Sequence, residues 1–203
     1  MEWNKRADEK TVAATAKSLE ENGISVFVVE NGEEARVKAL ELIPKGSEVF
    51  TATSVTADTI GIANEVNESG KYNSVRNKLH SLDRSTQRKE MAELASTPDW
   101  VVGSVHAVTE DGKVLIASAT GSQLPAYLYG APHVIWIVGT QKIVKDLDQG
   151  MRRIYEYALP LEGERARKAY GAPGSVVAKL AIVNKEVSKD RITMILVKEV
   201  LGF

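Results

Sequence analysis

Apolar runs of strand length that end in polar, glycine-bearing loops are the feature of this sequence that most restricts its fold. Three such runs follow one another at 100–105, 114–117 and 134–138. Continuous apolar runs of this length are typical of strands buried on both faces, as in the parallel sheets of α/β proteins. Ligands of such sheets bind where the strands end. Residues 100–146 are therefore expected to hold the largest part of any binding site.

The N-terminal part of the chain alternates helix and strand patterns. Residues 2–22 have the apolar spacing of a helix, and 24–29 is a continuous apolar run, as in a strand buried on both faces. A helix and a strand at 48–53 follow, which predicts a β-α-β unit whose strands form a parallel pair with a right-handed crossover. A further helix is predicted at 56–69.

The remainder of the chain is predicted to complete one domain over residues 1–203. Residues 70–83 are polar and irregular, and 163–175 is interpreted as a helical turn and a surface loop. The runs at 176–183 and 192–200 alternate as strands around a turn, which favours an antiparallel pair. The predicted fold class is α/β: a three-layer α/β/α, Rossmann-like arrangement with a mostly parallel sheet and an antiparallel C-terminal strand pair.

Composition excludes several classes of function. Lys and Arg number 26 against 27 Asp and Glu, without a basic stripe, so we expect no nucleic-acid partner. The absence of cysteine excludes a disulfide, a cysteine nucleophile and a cysteine-ligated iron–sulfur cluster within this chain. No metal site is predicted, because the three histidines are far apart in sequence. Without a signal-like N-terminus or an apolar run of spanning length, we expect a cytoplasmic protein with no membrane partner.

Two polar groups near predicted strand ends have a functional and a structural interpretation. Thr53 and Ser54 precede a helix, where hydroxyls and free N–H groups hold an anion or simply cap the helix. Thr109 and Glu110 begin a Thr-Glu-Asp-Gly segment, which is either a hairpin turn or the location of a carboxylate base or nucleophile, Glu110.

The other candidates lie on either side of that segment. Ser104 lies near the end of the first run and His106 follows it directly; His106 is either an acid/base or anion-binding group or a hydrogen-bonded structural residue. Near a predicted helix start lie Thr120, Gly121, Ser122 and Gln123, which suit an anion or an N-cap. Gly139 and Lys142 follow the third run, and Lys142 is either a ligand group at the same sheet edge or a solvated charge.

Three segments together resemble the LUD (lactate utilisation) domain family. They are TATSVTADTIGI at 51–62, the segment from HAVTEDG to KIVKD at 106–146, and RITMILVKEVLGF at 191–203. The resemblance covers residues 4–203. The chain departs from the family pattern in lacking the first-loop glycine, which is Ala52 or Thr53 here, and the cysteines that many relatives carry near 163–176.

The resemblance implies the fold shared by ribose-5-phosphate isomerase, glucosamine-phosphate deaminase and the CoA transferases. CoA transferases of that group carry a glutamate in a Glu-x-Gly setting, which Glu110-Asp111-Gly112 matches. The family is associated with oxidation of lactate to pyruvate beside iron–sulfur partner proteins. No cofactor within this chain is expected.

Three functional hypotheses follow. The first is binding of a small anionic metabolite, linked to lactate or other organic-acid utilisation. The second is an isomerase or a CoA-transferase-like enzyme in which Glu110 is base or nucleophile and Lys142 or His106 stabilises charge. The third is a non-catalytic subunit of a redox complex with an iron–sulfur partner. The sequence leaves the oligomeric state open, a homo-oligomer included.

Overall fold

A computed structural model describes residues 2–203. Its helices are α1 (Glu9–Glu21), α2 (Gly32–Leu42), α3 (Val55–Thr59), α4 (Ile62–Glu68), α5 (Val75–Ser81), α6 (Arg88–Ser96), α7 (Leu147–Arg153) and α8 (Leu159–Tyr170). Its strands are β1 (Ser25–Val29), β2 (Glu48–Thr51), β3 (Asn73–Ser74), β4 (Trp100–Gly103), β5 (Ala107–Thr109), β6 (Val114–Ser118), β7 (His133–Gly139), β8 (Ile143–Val144), β9 (Lys179–Val183) and β10 (Ile192–Val197). A π-helical segment, Ile154–Ala158, joins α7 to α8, and another covers Ala126–Gly130.

The main sheet is parallel throughout and has six strands in the order β1-β10-β7-β4-β2-β3. A smaller sheet has the order β8-β5-β6-β9, in which β6 runs antiparallel to both of its neighbours. The mostly parallel α/β architecture predicted from the sequence is confirmed. All strands of the main sheet end at the same edge, and the loops after β2, β4 and β7 are neighbours there.

Two apolar clusters cover the two faces of the main sheet. One cluster joins α2, α3 and α4 to residues such as Ile137 and Ile195, which are fully buried. The other joins α1 to Trp136 and to the smaller sheet. A third cluster packs α7 and the π-helical segment after it on the opposite side of the smaller sheet. Gly150 permits this close packing, because a Cβ at that position would lie 2.9 Å from Leu115 Cδ2.

The two C-terminal strands, β9 and β10, do not pair with each other as the sequence predicted. β9 pairs with β6, whereas β10 lies between β1 and β7 and runs parallel to both. β10 is an interior strand of the sheet, and its side chains Met194, Ile195 and Leu196 are fully buried. Insertion between two strands buries both of its faces, which a hairpin with the half-exposed β9 would not do.

β1 and β2 are both strands of the parallel sheet, but they are not a neighbouring pair as predicted. β10, β7 and β4 lie between them, so β1 is an edge strand. Its side chains are correspondingly less buried than the apolar run predicted: Phe27 is 37% and Val28 42% exposed.

Three helical segments also differ from the prediction. The helix expected at 56–69 is divided into α3 and α4 at Gly61, whose φ of +76° is left-handed. The segment 70–83 contains β3 and α5, and Ser74 caps α5 by accepting a hydrogen bond from Asn77 N at 3.1 Å. The polar stretch from 163 is helical as far as Tyr170, where Gly171 ends α8 in the left-handed region.

Candidate functional site

Three neighbouring strands bring one serine, one lysine and one buried threonine together at their carboxyl ends. Ser104 directly follows β4, and Lys142 lies in a short turn after β7. Thr56 lies in the first turn of α3, which follows β2. Because β7, β4 and β2 are adjacent in the sheet, these residues converge although they are distant in sequence.

Lys142 is the centre of this group. Its side chain is 1% exposed, and its Nζ donates to Ser104 Oγ at 3.0 Å, to Thr56 Oγ1 at 3.1 Å and to the Val105 carbonyl at 3.2 Å. Among residues 2–203 no ion pair joins it to a carboxylate. Burial lowers the pKa of Lys142 well below its ordinary 10.5, and the positive charge of Arg153 lowers it further. The lysine is thus an amine held by oxygens alone.

Arg153 is the second buried cation and the most incompletely bonded one. It is fully buried at the end of α7, and its Nη1 donates to the His106 carbonyl at 2.5 Å. Within the described residues 2–203, its Nε and Nη2 have no hydrogen-bond partner. The guanidinium also lies 5.3 Å from the ring centroid of Tyr157, a cation–π distance. Burial lowers the pKa of Arg153 to about 10, so it remains protonated at neutral pH.

His106 lies close enough to both Lys142 and Arg153 for their charges to act on its ring. Its Nδ1 accepts a hydrogen bond from Ala117 N at 3.1 Å. Burial lowers the pKa of His106 to about 3, with added repulsion from Lys142 and Arg153. The imidazole is therefore neutral near a positively charged guanidinium, and among residues 2–203 no ion pair joins Lys142 or Arg153 to a carboxylate. Such an arrangement attracts an anion.

The comparisons with known proteins agree on one family. The family model described as "LUD domain" matches residues 12–201. The chain belongs to the LUD domain family. The fold of this LUD domain is also similar to a crystal structure of a DUF162 family protein from Deinococcus radiodurans, at 12% identity and a TM-score of 0.56, over 93% of this chain and 96% of that one. No curated protein matches the chain significantly.

The predicted residues at the first helix start have structural partners in the LUD domain. Ser54 caps α3 by accepting from Ala57 N at 3.3 Å. Thr53 is exposed, and its Oγ1 accepts from the Arg76 guanidinium at 3.1 Å. Arg76 also donates to the Thr51 carbonyl. Both predicted residues lie near the loop ends that frame the site, but neither contacts Lys142.

Glu110 lies apart from the buried cations. The segment Thr109–Lys113 forms the turn of the β5–β6 hairpin, in which Thr109 Oγ1 accepts from Lys113 N at 2.8 Å and Gly112 has a φ of +81°. β8 pairs with β5 in a register that puts Glu110 three residues beyond the level of Lys142, about 10 Å along the strand. Its side chain is exposed in a surface groove of about 470 Å³ that also contains Lys5 and Lys145.

The predicted residues of the loop at 120–123 form hydrogen bonds within that loop and with Ser118. Ser118 Oγ donates to Gln123 Oε1 at 3.0 Å and accepts from Gly121 N at 2.8 Å. Ser122 N donates to Thr120 Oγ1 at 3.3 Å, and both side chains are exposed. Gly139 is required by packing, since a Cβ there would lie 2.6 Å from the Glu199 carbonyl oxygen and 2.9 Å from Leu201 N.

Thr56 and Arg153 are site residues that sequence reasoning missed. Thr56 was inside a predicted helix, where a threonine is usually a surface or capping residue. Arg153 is one of two consecutive arginines in an amphipathic helix, and no pattern shows which of them is buried. The sequence signal for Arg153 is a break in the apolar stripe of α7. The two buried residues of that helix are Gly150 and Arg153, which face the smaller sheet.

Residues 2–203 contain no cluster of three or more His, Cys, Asp or Glu side chains arranged to hold a metal ion. Over the same residues no helix combines the length and the apolar character needed to cross a bilayer.

Proposed function

We propose that this LUD domain binds a small organic anion, and that the buried guanidinium of Arg153 anchors it. The observation that carries the proposal is that Nε and Nη2 of a fully buried arginine have no acceptor. Leaving a charged donor buried and unpaired costs several kcal/mol, about 3–5 for a broken buried ion pair. Nε and Nη2 form one side of the guanidinium, the geometry that a carboxylate or phosphate matches with two parallel hydrogen bonds.

The surroundings of Arg153 favour an anionic ligand over a neutral one. Lys142 and His106 both lie close enough to repel positive charge. A bound anion would reduce that repulsion, so its binding raises the pKa of Lys142 and His106 and is accompanied by proton uptake at lower pH. The association of the family with lactate and pyruvate makes a short hydroxy or keto acid the first candidate class.

The test uses two arginines that are neighbours in sequence. Arg153→Met removes the buried guanidinium, and Arg152→Met removes an exposed one that bonds only Glu156. L-lactate, pyruvate and inorganic phosphate are the probes, with thermal stability and calorimetry as readouts. A probe present at 100 times its Kd adds about 2.7 kcal/mol to the free energy of unfolding.

The proposal predicts that at least one probe stabilises the wild-type chain and Arg152→Met, and that it leaves Arg153→Met unchanged. Equal stabilisation of both variants would place the anion elsewhere. Absence of stabilisation by all three probes would contradict binding of this class of ligand.

A further inference from the structure

The three oxygens around Lys142 Nζ differ in whether they can donate a hydrogen bond to the amine or only accept one. A neutral amine has two N–H donors and one lone pair. The Val105 carbonyl only accepts, and the hydroxyl proton of Thr56 is already donated to the Leu201 carbonyl at 3.1 Å. Both N–H groups of a neutral Lys142 are therefore used. Ser104 Oγ lies 3.0 Å from Nζ and 3.4 Å from the Val105 carbonyl, so its hydroxyl proton has two acceptors within reach: that carbonyl and the lone pair of a neutral Lys142.

Of the two hydroxyls on Lys142, only that of Ser104 belongs to a residue with access to solvent. Thr56 is 1% exposed, whereas Ser104 is partly exposed and lies in the loop at the carboxyl edge of the main sheet. Thr56 and the Val105 carbonyl fix Lys142 from two sides, which makes them positioning groups. Ser104 is the hydroxyl that a molecule entering from this edge would reach.

We propose that Ser104 and Lys142 form a serine–lysine dyad that transfers an acyl group from an ester or thioester. The site has what nucleophilic catalysis by serine requires: a hydroxyl in hydrogen-bond contact with a base. Burial lowers the pKa of Lys142 well below 10.5, which favours the unprotonated amine. The contact between Ser104 and Lys142 does not involve the Arg153 guanidinium, although the charge of Arg153 contributes to the lowered pKa of Lys142.

The chemistry balances without a cofactor. Lys142 Nζ takes the hydroxyl proton as Ser104 Oγ forms a bond to the acyl carbon. The bond from that carbon to the alcohol or thiol breaks, and the leaving group takes the proton from the Lys142 ammonium. Water, deprotonated by the same amine, then attacks the acyl-serine ester and releases a carboxylic acid and the free Ser104 hydroxyl.

The first experiment uses phenylmethylsulfonyl fluoride, a neutral reagent that sulfonylates activated serines with loss of fluoride. Mass spectrometry of the wild-type chain is expected to show one added group, and peptide mapping is expected to place it on Ser104. Ser122→Ala, which removes an exposed serine, should label like the wild type. Lys142→Met should slow labelling of Ser104 at least about 100-fold, the lower limit for loss of a general base.

A second experiment keeps the proposal testable if Lys142→Met fails to fold. The chain has no cysteine, so Ser104→Cys and Ser122→Cys each introduce a single thiol. Proton transfer to Lys142 should lower the thiol pKa of Ser104→Cys below the ordinary value of about 8.5, which Ser122→Cys should retain. The pH dependence of alkylation by iodoacetamide measures both values.

The outcomes separate the dyad from a structural role for Ser104. Labelling of Ser104 that depends on Lys142, or a lowered thiol pKa in Ser104→Cys, supports the dyad. It is overturned if Ser104 is not sulfonylated, if a folded Lys142→Met labels at the wild-type rate, or if the thiol of Ser104→Cys titrates at or above that of Ser122→Cys. Failure of the dyad leaves anion binding by Arg153 intact, because that proposal is read from different variants and a different assay.

Discussion

Replacing Lys142 by methionine should change how the stability of the protein depends on pH. Burial and the charge of Arg153 hold the pKa of Lys142 well below 10.5 in the folded chain, while the unfolded chain returns the amine to water. Between those two pKa values the unfolded state binds one more proton than the folded state. The free energy of unfolding therefore rises with pH across this window, and the contribution is lost as pH falls.

The magnitude follows from the number of groups involved. One proton is released on folding, so the slope is about 1.36 kcal/mol per pH unit. Over two pH units that lie between the folded and unfolded pKa values of Lys142, the wild-type chain should gain about 2.7 kcal/mol relative to Lys142→Met. The measurements are made between pH 7 and 9, above the ordinary pKa of histidine, 6.5. Groups that titrate in both proteins cancel in the difference.

Urea unfolding followed by tryptophan fluorescence provides the measurement, since the chain has three tryptophans. The free energy of unfolding is measured at several pH values between 7 and 9 for wild type, Lys142→Met and Lys145→Met. Lys145 is exposed, and its replacement gives the baseline. A difference between wild type and Lys142→Met that stays constant over this range would refute the reasoning, because Lys142 would then be protonated in the folded chain.

Three further predictions concern other parts of the molecule. Because burial lowers the pKa of His106 to about 3, its ring should show no titration by NMR between pH 5 and 8. The unfolded histidine is protonated below 6.5, so the free energy of unfolding should decrease as pH falls from 6.5 toward 3. A normal titration of the ring would contradict its burial near Lys142 and Arg153. Arg191→Met should lower the free energy of unfolding by about 3–5 kcal/mol in urea titrations, since it removes the ion-pair partner of the partly buried Glu186 and the donors from Arg191 to the carbonyls of Ala126, Tyr127 and Ala131. A loss below about 1 kcal/mol would show that water replaces them. Glu110→Gln should change stability by less than about 0.5 kcal/mol and leave sulfonylation of Ser104 unchanged, because the exposed side chain lies away from Lys142; a strong effect on labelling would restore Glu110 to the site.

The sequence predicted that Lys142 lies at a sheet edge because it follows the run at 134–138, and it made Ser104, at the end of the run at 100–105, a candidate. The structure places both residues just beyond the ends of strands. In a parallel sheet all strands end on one side, so residues distant in sequence converge. What the pattern could not show was which of the polar residues are buried. Lys142 contacts Ser104, while Gln123 contacts only its own loop.

The errors have a common physical origin in long-range contacts. Adjacent runs favour a hairpin, and nothing local shows that β10 is inserted between β1 and β7. In the same way, Arg152 and Arg153 are equivalent in sequence, and only the packing of α7 on the smaller sheet buries one of them. Local pattern fixes where strands and helices form, whereas pairing and burial depend on parts of the chain that are distant in sequence, 58 residues apart for Ile192 and Val134 and 47 for Arg153 and His106.

The most direct test of anion binding at this edge of the sheet is a crystal structure grown with saturating pyruvate. The account predicts a carboxylate whose two oxygens accept hydrogen bonds from Arg153 Nε and Nη2, at about 2.7–2.9 Å. An ordered water or a protein oxygen on both nitrogens, with pyruvate absent or bound elsewhere, would contradict it.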